Sequence, residues 1–262
     1  MTTYIIITVI LFVSLSLRYN WWRKTHNLNK ARILMYHSIS EHKINEKHNK
    51  WRIKTKDFDK QMKWFYDNAW SSYTISELTS LSGIPEKSFV ITFDDGFEDN
   101  YINAFPILKK YNFKATIYLV PLQNENHWEK DNTSYLSKLL DENQIKDMLS
   151  SNLIEFGSHT LSHKNLLRIE KLEDLEKEIF LSKQRVEELT KTECKAFAYP
   201  YGKFDDRIIN IVKKAGYKNA TVVKRGLFDK TDDVFAINRL GILGTESFID
   251  FLLKIFKVRN KL

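Results

Sequence analysis

The 262 residues suffice for one large α/β domain or two small ones, and 43% hydrophobic with 13% aromatic residues describes a chain that buries a core. The formal charge of +8 comes from scattered lysines, with no basic block, zinc-finger spacing or aromatic RNA-binding motif. That argues against a nucleic-acid partner and for attraction to anionic surfaces such as lipid head groups or acidic wall polymers. The single cysteine, Cys194, excludes an internal disulfide; between Glu193 and Lys195 it reads as a strand-edge residue, not a nucleophile.

Residues 4–17 carry no charge and are dominated by Ile, Val, Leu and Phe. As a helix they would span about 21 Å, and extension to Trp22 gives about 28 Å against a hydrocarbon core of roughly 30 Å. Tyr19, Trp21 and Trp22 would then form an interfacial belt. Residues 1–22 are therefore read as a membrane anchor and 23–30 as a juxtamembrane linker. A cleaved signal peptide, with Ser14-Leu15-Ser16 as its small-residue site, is the alternative. Arg18, Arg23, Lys24, Lys30 and Arg32 all follow the apolar run, so the positive-inside rule points the body toward the cytoplasm.

Residues 31–39 read as a first strand ending near His37, and 41–50 as a polar surface loop. Phe58, Met62, Phe65 and Ala69 recur at helical spacing and predict an amphipathic helix from about Asp57, followed by a short helix near 76–81. Val90, Ile91 and Thr92 make 89–93 a β-branched run suited to a strand buried on both faces. Helical spacing returns through Tyr101, Phe105 and Leu108, with Pro106 marking a kink or a late start. A strand over 115–120 leads into a polar excursion over 121–143, carrying Trp128 and Tyr135, which is either a groove wall or a solvated loop. Then come a helix over 143–151, a strand over 153–157 and a long helix over 172–189. Strands over 195–199, 220–223 and 235–242 alternate with helices over 206–215 and 248–258. Such alternation predicts a mainly parallel sheet in one domain over 31–262.

Chemistry-bearing residues fall directly after these strands, as on the C-terminal face of a β/α barrel. Asp94 and Asp95 can converge only if the chain turns between them, because neighbours on a strand point to opposite sides; Gly96 allows that turn. Two converging carboxylates need a cation between them or a shared proton. Read alone, Asp-Asp-Gly is better taken as a solvated turn with Asp95 or Glu98 capping the next helix. His159 and His163 stand four apart, so one helical turn would set both imidazoles on one side, a spacing that grips zinc. Two imidazoles and one carboxylate leave positions open on a divalent ion, and the second carboxylate can then take a proton, which is metal-assisted hydrolysis. Zn²⁺ suits that set, with Co²⁺, Ni²⁺ or Fe²⁺ as alternatives.

Thr92-Phe93-Asp94-Asp95-Gly96 resembles the first motif of the NodB-like polysaccharide deacetylases (carbohydrate esterase family 4). His159-Thr160-Leu161-Ser162-His163 resembles their second motif, and Ala198-Tyr199-Pro200-Tyr201-Gly202 their third, usually Arg-x-Pro-Tyr-Gly. The resemblance spans about 31–242 and implies a distorted (β/α)7 barrel of the NodB-homology type. It implies Asp95, His159 and His163 as metal ligands and Asp94 as general base. Pro200 and Tyr201 would bind substrate, with the Tyr201 N–H helping to hold the oxyanion.

Two departures follow. Ala198 stands where an arginine orients the base; Arg239 is a candidate substitute, and by itself reads as a rim charge. No histidine follows His163, so the usual late general acid is missing. Leu34-Met35-Tyr36-His37 resembles the start of the poly-N-acetylglucosamine deacetylases of the intercellular-adhesion type, which implies His37 as the acid. His26, His42, His48 and His127 receive no role. The expected activity is removal of acetyl groups from N-acetylglucosamine units of an extracellular polymer, with poly-β-1,6-N-acetylglucosamine of a biofilm matrix as first choice. The catalytic body would then lie on the outer face of the cell membrane, against the charge flanks, or be secreted after cleavage. Peptidoglycan or chitin-like chains are the alternative substrates. A haloacid-dehalogenase-like phosphatase would need Asp-x-Asp, and a carbohydrate-binding relic would have lost the ligands or the base.

Overall fold

The computed structural model describes residues 1–19, 25–127 and 136–257. Ten strands lie in it: β1 (Arg32–Tyr36), β2 (Ser38–Ile39), β3 (Arg52–Ile53), β4 (Ser71–Tyr73), β5 (Ser88–Phe93), β6 (Ala115–Leu119), β7 (Ile154–Ser158), β8 (Ala196–Ala198), β9 (Asn219–Thr221) and β10 (Leu240–Gly241). Eight α-helices accompany them: α1 (Thr2–Tyr19), α2 (Thr55–Asp67), α3 (Ile75–Ser80), α4 (Phe105–Tyr111), α5 (Glu142–Ser150), α6 (Leu172–Thr190), α7 (Asp206–Lys214) and α8 (Phe248–Lys257).

The main sheet runs β10-β1-β5-β6-β7-β8-β9 with every pair parallel, and β4 adds to the first half of β5. Parallel pairing requires crossovers, and the helices supply them, so both sheet faces are covered and the strands read as apolar runs. All six residues of β5 are buried, which accounts for its unbroken β-branched and aromatic character. The sheet curls into a half-barrel. Its ends are tied where Ile237 N–H donates to Ala220 O and Val222 N–H to Ile237 O, each at 2.9 Å. The expected last strand over 235–242 therefore shrinks to β10. A turn at Asp233, whose Oδ1 accepts from Phe235 N–H and whose carbonyl accepts from Ala236 N–H, consumes its first residues.

Local signals explain the helix starts. Thr74 and Glu77 form a reciprocal capping box at α3, Asp141 and Gln144 do the same at α5, and Asp205 caps α7. Before α4 the chain takes a wide π-helical turn over Asn100–Ala104, and Pro106 opens the regular helix, so the late start is the one adopted. The core is aromatic: Phe65 stacks on Phe89 at 4.1 Å, and Tyr36, Phe58 and Phe93 pack together. Each such ring contributes about 1.5–3 kcal/mol when fully buried.

At 18 residues α1 measures about 27 Å, and among the described residues no helix is long and apolar enough to cross a membrane. The remainder of the expected anchor, with Trp21 and Trp22, lies outside the described residues, as do Trp128 and Tyr135.

Candidate active site

The strand ends converge on one cavity of about 330 Å³, bordered by Met35, His37, His48, Trp51, Asp94, Asp95, His159, His163, Tyr201 and Val223. Three separate turns build it, and each places a non-glycine residue in left-handed backbone: Asp95 (φ +74°), Thr160 (φ +67°) with His163 (φ +60°), and Tyr201 (φ +59°). Such backbone is costly for a β-branched residue like Thr160, and strain of this kind concentrates at functional sites. Asp95 turns with Gly96 (φ +70°), so the two carboxylates leave the strand end in different directions.

The histidine pair does not converge through a helical turn, as its spacing predicts. Residues 159–163 form an irregular loop fastened by Glu178 of α6, a buried carboxylate absent from the sequence reading. Its Oε2 accepts from Ser162 N–H at 3.0 Å, its Oε1 from Ser162 Oγ at 2.6 Å, and its backbone carbonyl from Leu161 N–H. The loop brings the two imidazoles to 4.8 Å between centroids.

Asp95, His159 and His163 are all buried, with one potential ligand atom from each within 4.8 Å of the others. His163 Nε2 lies 3.3 Å and His159 Nε2 3.7 Å from Asp95 Oδ1. His159 Nδ1 is 2.8 Å from the Ala198 carbonyl, which can only accept, so Nδ1 carries the proton and Nε2 keeps its lone pair toward Asp95. Position 198 thus serves the site through its backbone. Burial lowers the pKa of His159 and carries that of His163 well below its ordinary value, which keeps both imidazoles in the neutral form that a cation requires. The residues fit a divalent metal.

Asp94 is held from the edge of the sheet two strands away. Arg239, which precedes β10, donates from Nη1 to Asp94 Oδ1 at 2.6 Å and from Nη2 to Oδ2 at 2.7 Å. Its Nε donates to Val222 O and Nη1 also to Thr92 Oγ1, both at 3.0 Å, and the guanidinium lies over the Tyr118 ring. Arg239 is fully buried, which overturns its reading as a rim charge. Burial alone would raise the Asp94 pKa. The charge of Arg239 and its paired hydrogen bonds outweigh it and hold the carboxyl far below its usual range.

His37 occupies a break between β1 and β2, where a single strand over 31–39 is expected. Its ring packs on Trp51 at 4.6 Å, and burial lowers its pKa to about 4. Tyr201, half-exposed, packs its ring 4.8 Å from His163, and Pro200 beside it is buried. Trp51, His48 and Val223 were invisible as site residues because nothing in their local sequence marks them.

Residues 82–220 match the family Polysaccharide deacetylase. The chain belongs to the polysaccharide deacetylase family. Both His37 and Arg239 fall outside the matched stretch. The deacetylase is 31% identical over 227 residues to YxkH of Bacillus subtilis, covering 84% of this chain and 74% of that one. It is 30% identical over 215 residues to poly-beta-1,6-N-acetyl-D-glucosamine N-deacetylase of Staphylococcus aureus, covering 78% and 70%. Among solved structures it is similar to the deacetylase PplD of Streptococcus pyogenes in complex with acetate, at 26% identity and a TM-score of 0.73 over 87% of this chain and 98% of that one.

Proposed function

We propose that the protein is a divalent-metal-dependent N-deacetylase acting on N-acetylglucosamine units of an extracellular polysaccharide, with poly-β-1,6-N-acetylglucosamine as the polymer. The observation that carries this reading is the buried Asp95, His159 and His163 cluster beside a separately held Asp94. The relative from Staphylococcus aureus, named for that polymer, supports the choice of substrate.

Asp95, His159 and His163 would hold the ion, Zn²⁺ in first place, and it would supply polarisation of the acetyl carbonyl and a more acidic water. Asp94, ionised and fixed at both oxygens, accepts the proton from the attacking water. The Tyr201 N–H donates to the oxyanion, from a turn braced on either side by Gly202 N–H to Tyr199 O and Lys203 N–H to Pro200 O. His37 then gives a proton to the departing amine. Burial lowers its pKa to about 4, and negative charge developing beside it would raise that value. Products are acetate and a free amine that becomes cationic.

We place the body at the outer face of the cell membrane. The apolar side chains of α1, Ile5, Ile6, Ile7 and Phe12 among them, are half-exposed around the helix and suit a lipid phase. The test is acetate release from β-1,6- and β-1,4-linked N-acetylglucosamine oligomers, with and without chelator. Chelator-sensitive release favouring the β-1,6 linkage is expected. A β-1,4 preference would redirect the proposal to peptidoglycan or chitin-like chains, and metal-independent release would sink it.

A further inference from the structure

The ring of His37 is not aimed by a hydrogen bond: its Nδ1 is buried and has no partner among the described residues. Its place is therefore set by its backbone position together with the packing of the ring on Trp51. That position is a weak point of the sheet. The β1–β5 ladder ends at Tyr36 with Phe93, after which Asp94 N–H donates to Tyr36 O, and the β2–β3 ladder begins only at Ser38 with Arg52. The His37 carbonyl falls between the two ladders and needs a donor from elsewhere.

The donor comes from the turn that follows Asp94 and Asp95. Asn100, fully buried, donates from Nδ2 to His37 O at 2.8 Å. Asp99 accepts from Ile39 N–H at 2.8 Å and from Ser38 Oγ at 2.5 Å, and Asn103 donates from Nδ2 to Ile39 O at 2.8 Å. Three side chains of one segment thus grip three consecutive residues, 37 to 39. The π-helical turn over Asn100–Ala104 sits in this segment, and extra-wide turns of that type are frequent at functional sites.

We infer that Asn100, assisted by Asp99 and Asn103, is the positioning residue for His37, so that one segment carrying the base and a metal ligand also fixes the acid. This rests on the reading of His37 as the proton donor to the leaving amine.

An amide needs its leaving nitrogen protonated, whereas an activated ester such as 4-nitrophenyl acetate expels a stable phenolate without an acid. The experiment compares kcat on N-acetylglucosamine oligomers with kcat on 4-nitrophenyl acetate for the full-length protein and the variants Asn100→Ala, Asn103→Ala and His37→Gln. The amide-to-ester ratio should fall at least tenfold in Asn100→Ala, by a smaller factor in Asn103→Ala and most in His37→Gln, with bound metal per chain unchanged. A parallel loss of both activities in Asn100→Ala and Asn103→Ala, or an unchanged ratio in both, would overturn the clamp while a shifted ratio in His37→Gln kept the acid assignment. An unchanged ratio in His37→Gln would overturn the acid assignment and the clamp together.

Discussion

Arg239 grips both oxygens of Asp94, at 2.6 and 2.7 Å, from just before the edge strand β10, two strands from β5, and thereby supplies the cation that position 198 lacks. The pair is buried on both sides, so each charge depends on the other.

Replacing Arg239 should therefore be costly in two separable ways. Arg239→Ala leaves an unpaired buried carboxylate, and urea denaturation should register a loss of about 3–5 kcal/mol. Arg239→Lys keeps a charge without the two-pronged geometry, and kcat should drop about a hundredfold through misorientation of the base. Ala198 packs in the same apolar cluster as Tyr118, over which Arg239 lies. Ala198→Arg alone should overpack that cluster by about 1–3 kcal/mol.

Metal should stabilise the fold through Asp95, His159 and His163. Zinc at a hundred times its dissociation constant should raise stability by about 2.7 kcal/mol, read as an upward shift in Tm. Asp95→Asn, which tolerates the left-handed backbone but is a poorer ligand, should abolish the shift.

The metal-free protein should weaken on mild acidification. Burial holds His37 at about 4 and lowers His159 and His163 as well. An unfolded imidazole titrates near 6.5, at about 6.5 on the pH scale, so below that pH the unfolded chain binds protons that the native chain refuses. Stability is fully present above that value and, for His37, falls as pH drops from about 6.5 toward about 4, by about 1.4 kcal/mol per pH unit, with His159 and His163 adding losses of the same sign. Denaturation midpoints at several pH values, in chelator, should show that slope, and His37→Gln should reduce it by one imidazole's share.

Gly244 lets its loop lie against the segment that carries Trp51. A Cβ there would stand 1.8 Å from the Arg52 carbonyl oxygen, and Gly244 N–H donates to Lys50 O at 2.9 Å. Gly244→Ala should cost at least about 1–3 kcal/mol and also lower kcat, because displacing residues 50–52 moves Trp51 off the His37 ring.

The parts that could be read from sequence are those whose signal is local. Apolar periodicity gives the strand and helix order nearly throughout, since each element buries one face or both. Asp94, Asp95, His159 and His163 stand out because two short motifs carry them. The irregular loop at 159–163 was not legible, because its shape depends on Glu178, fifteen residues beyond His163 on another element. Arg239 shows the same limit: a lone arginine beside a short strand carries no mark of burial, and only the strand order, with β10 two places from β5, brings it near Asp94. Trp51 and Asn100 reach the site by folding alone.

The most direct test of the central assignment is acetate release by metal-loaded Asp94→Asn, with bound metal measured on the same sample. The substitution is isosteric, removes the charge and basicity of the group that Arg239 holds, and leaves one of the two accepting oxygens in place. The account predicts full metal content with kcat reduced about 10²–10⁴-fold. Activity within a few-fold of the parent at full metal content would contradict the assignment of Asp94 as the base.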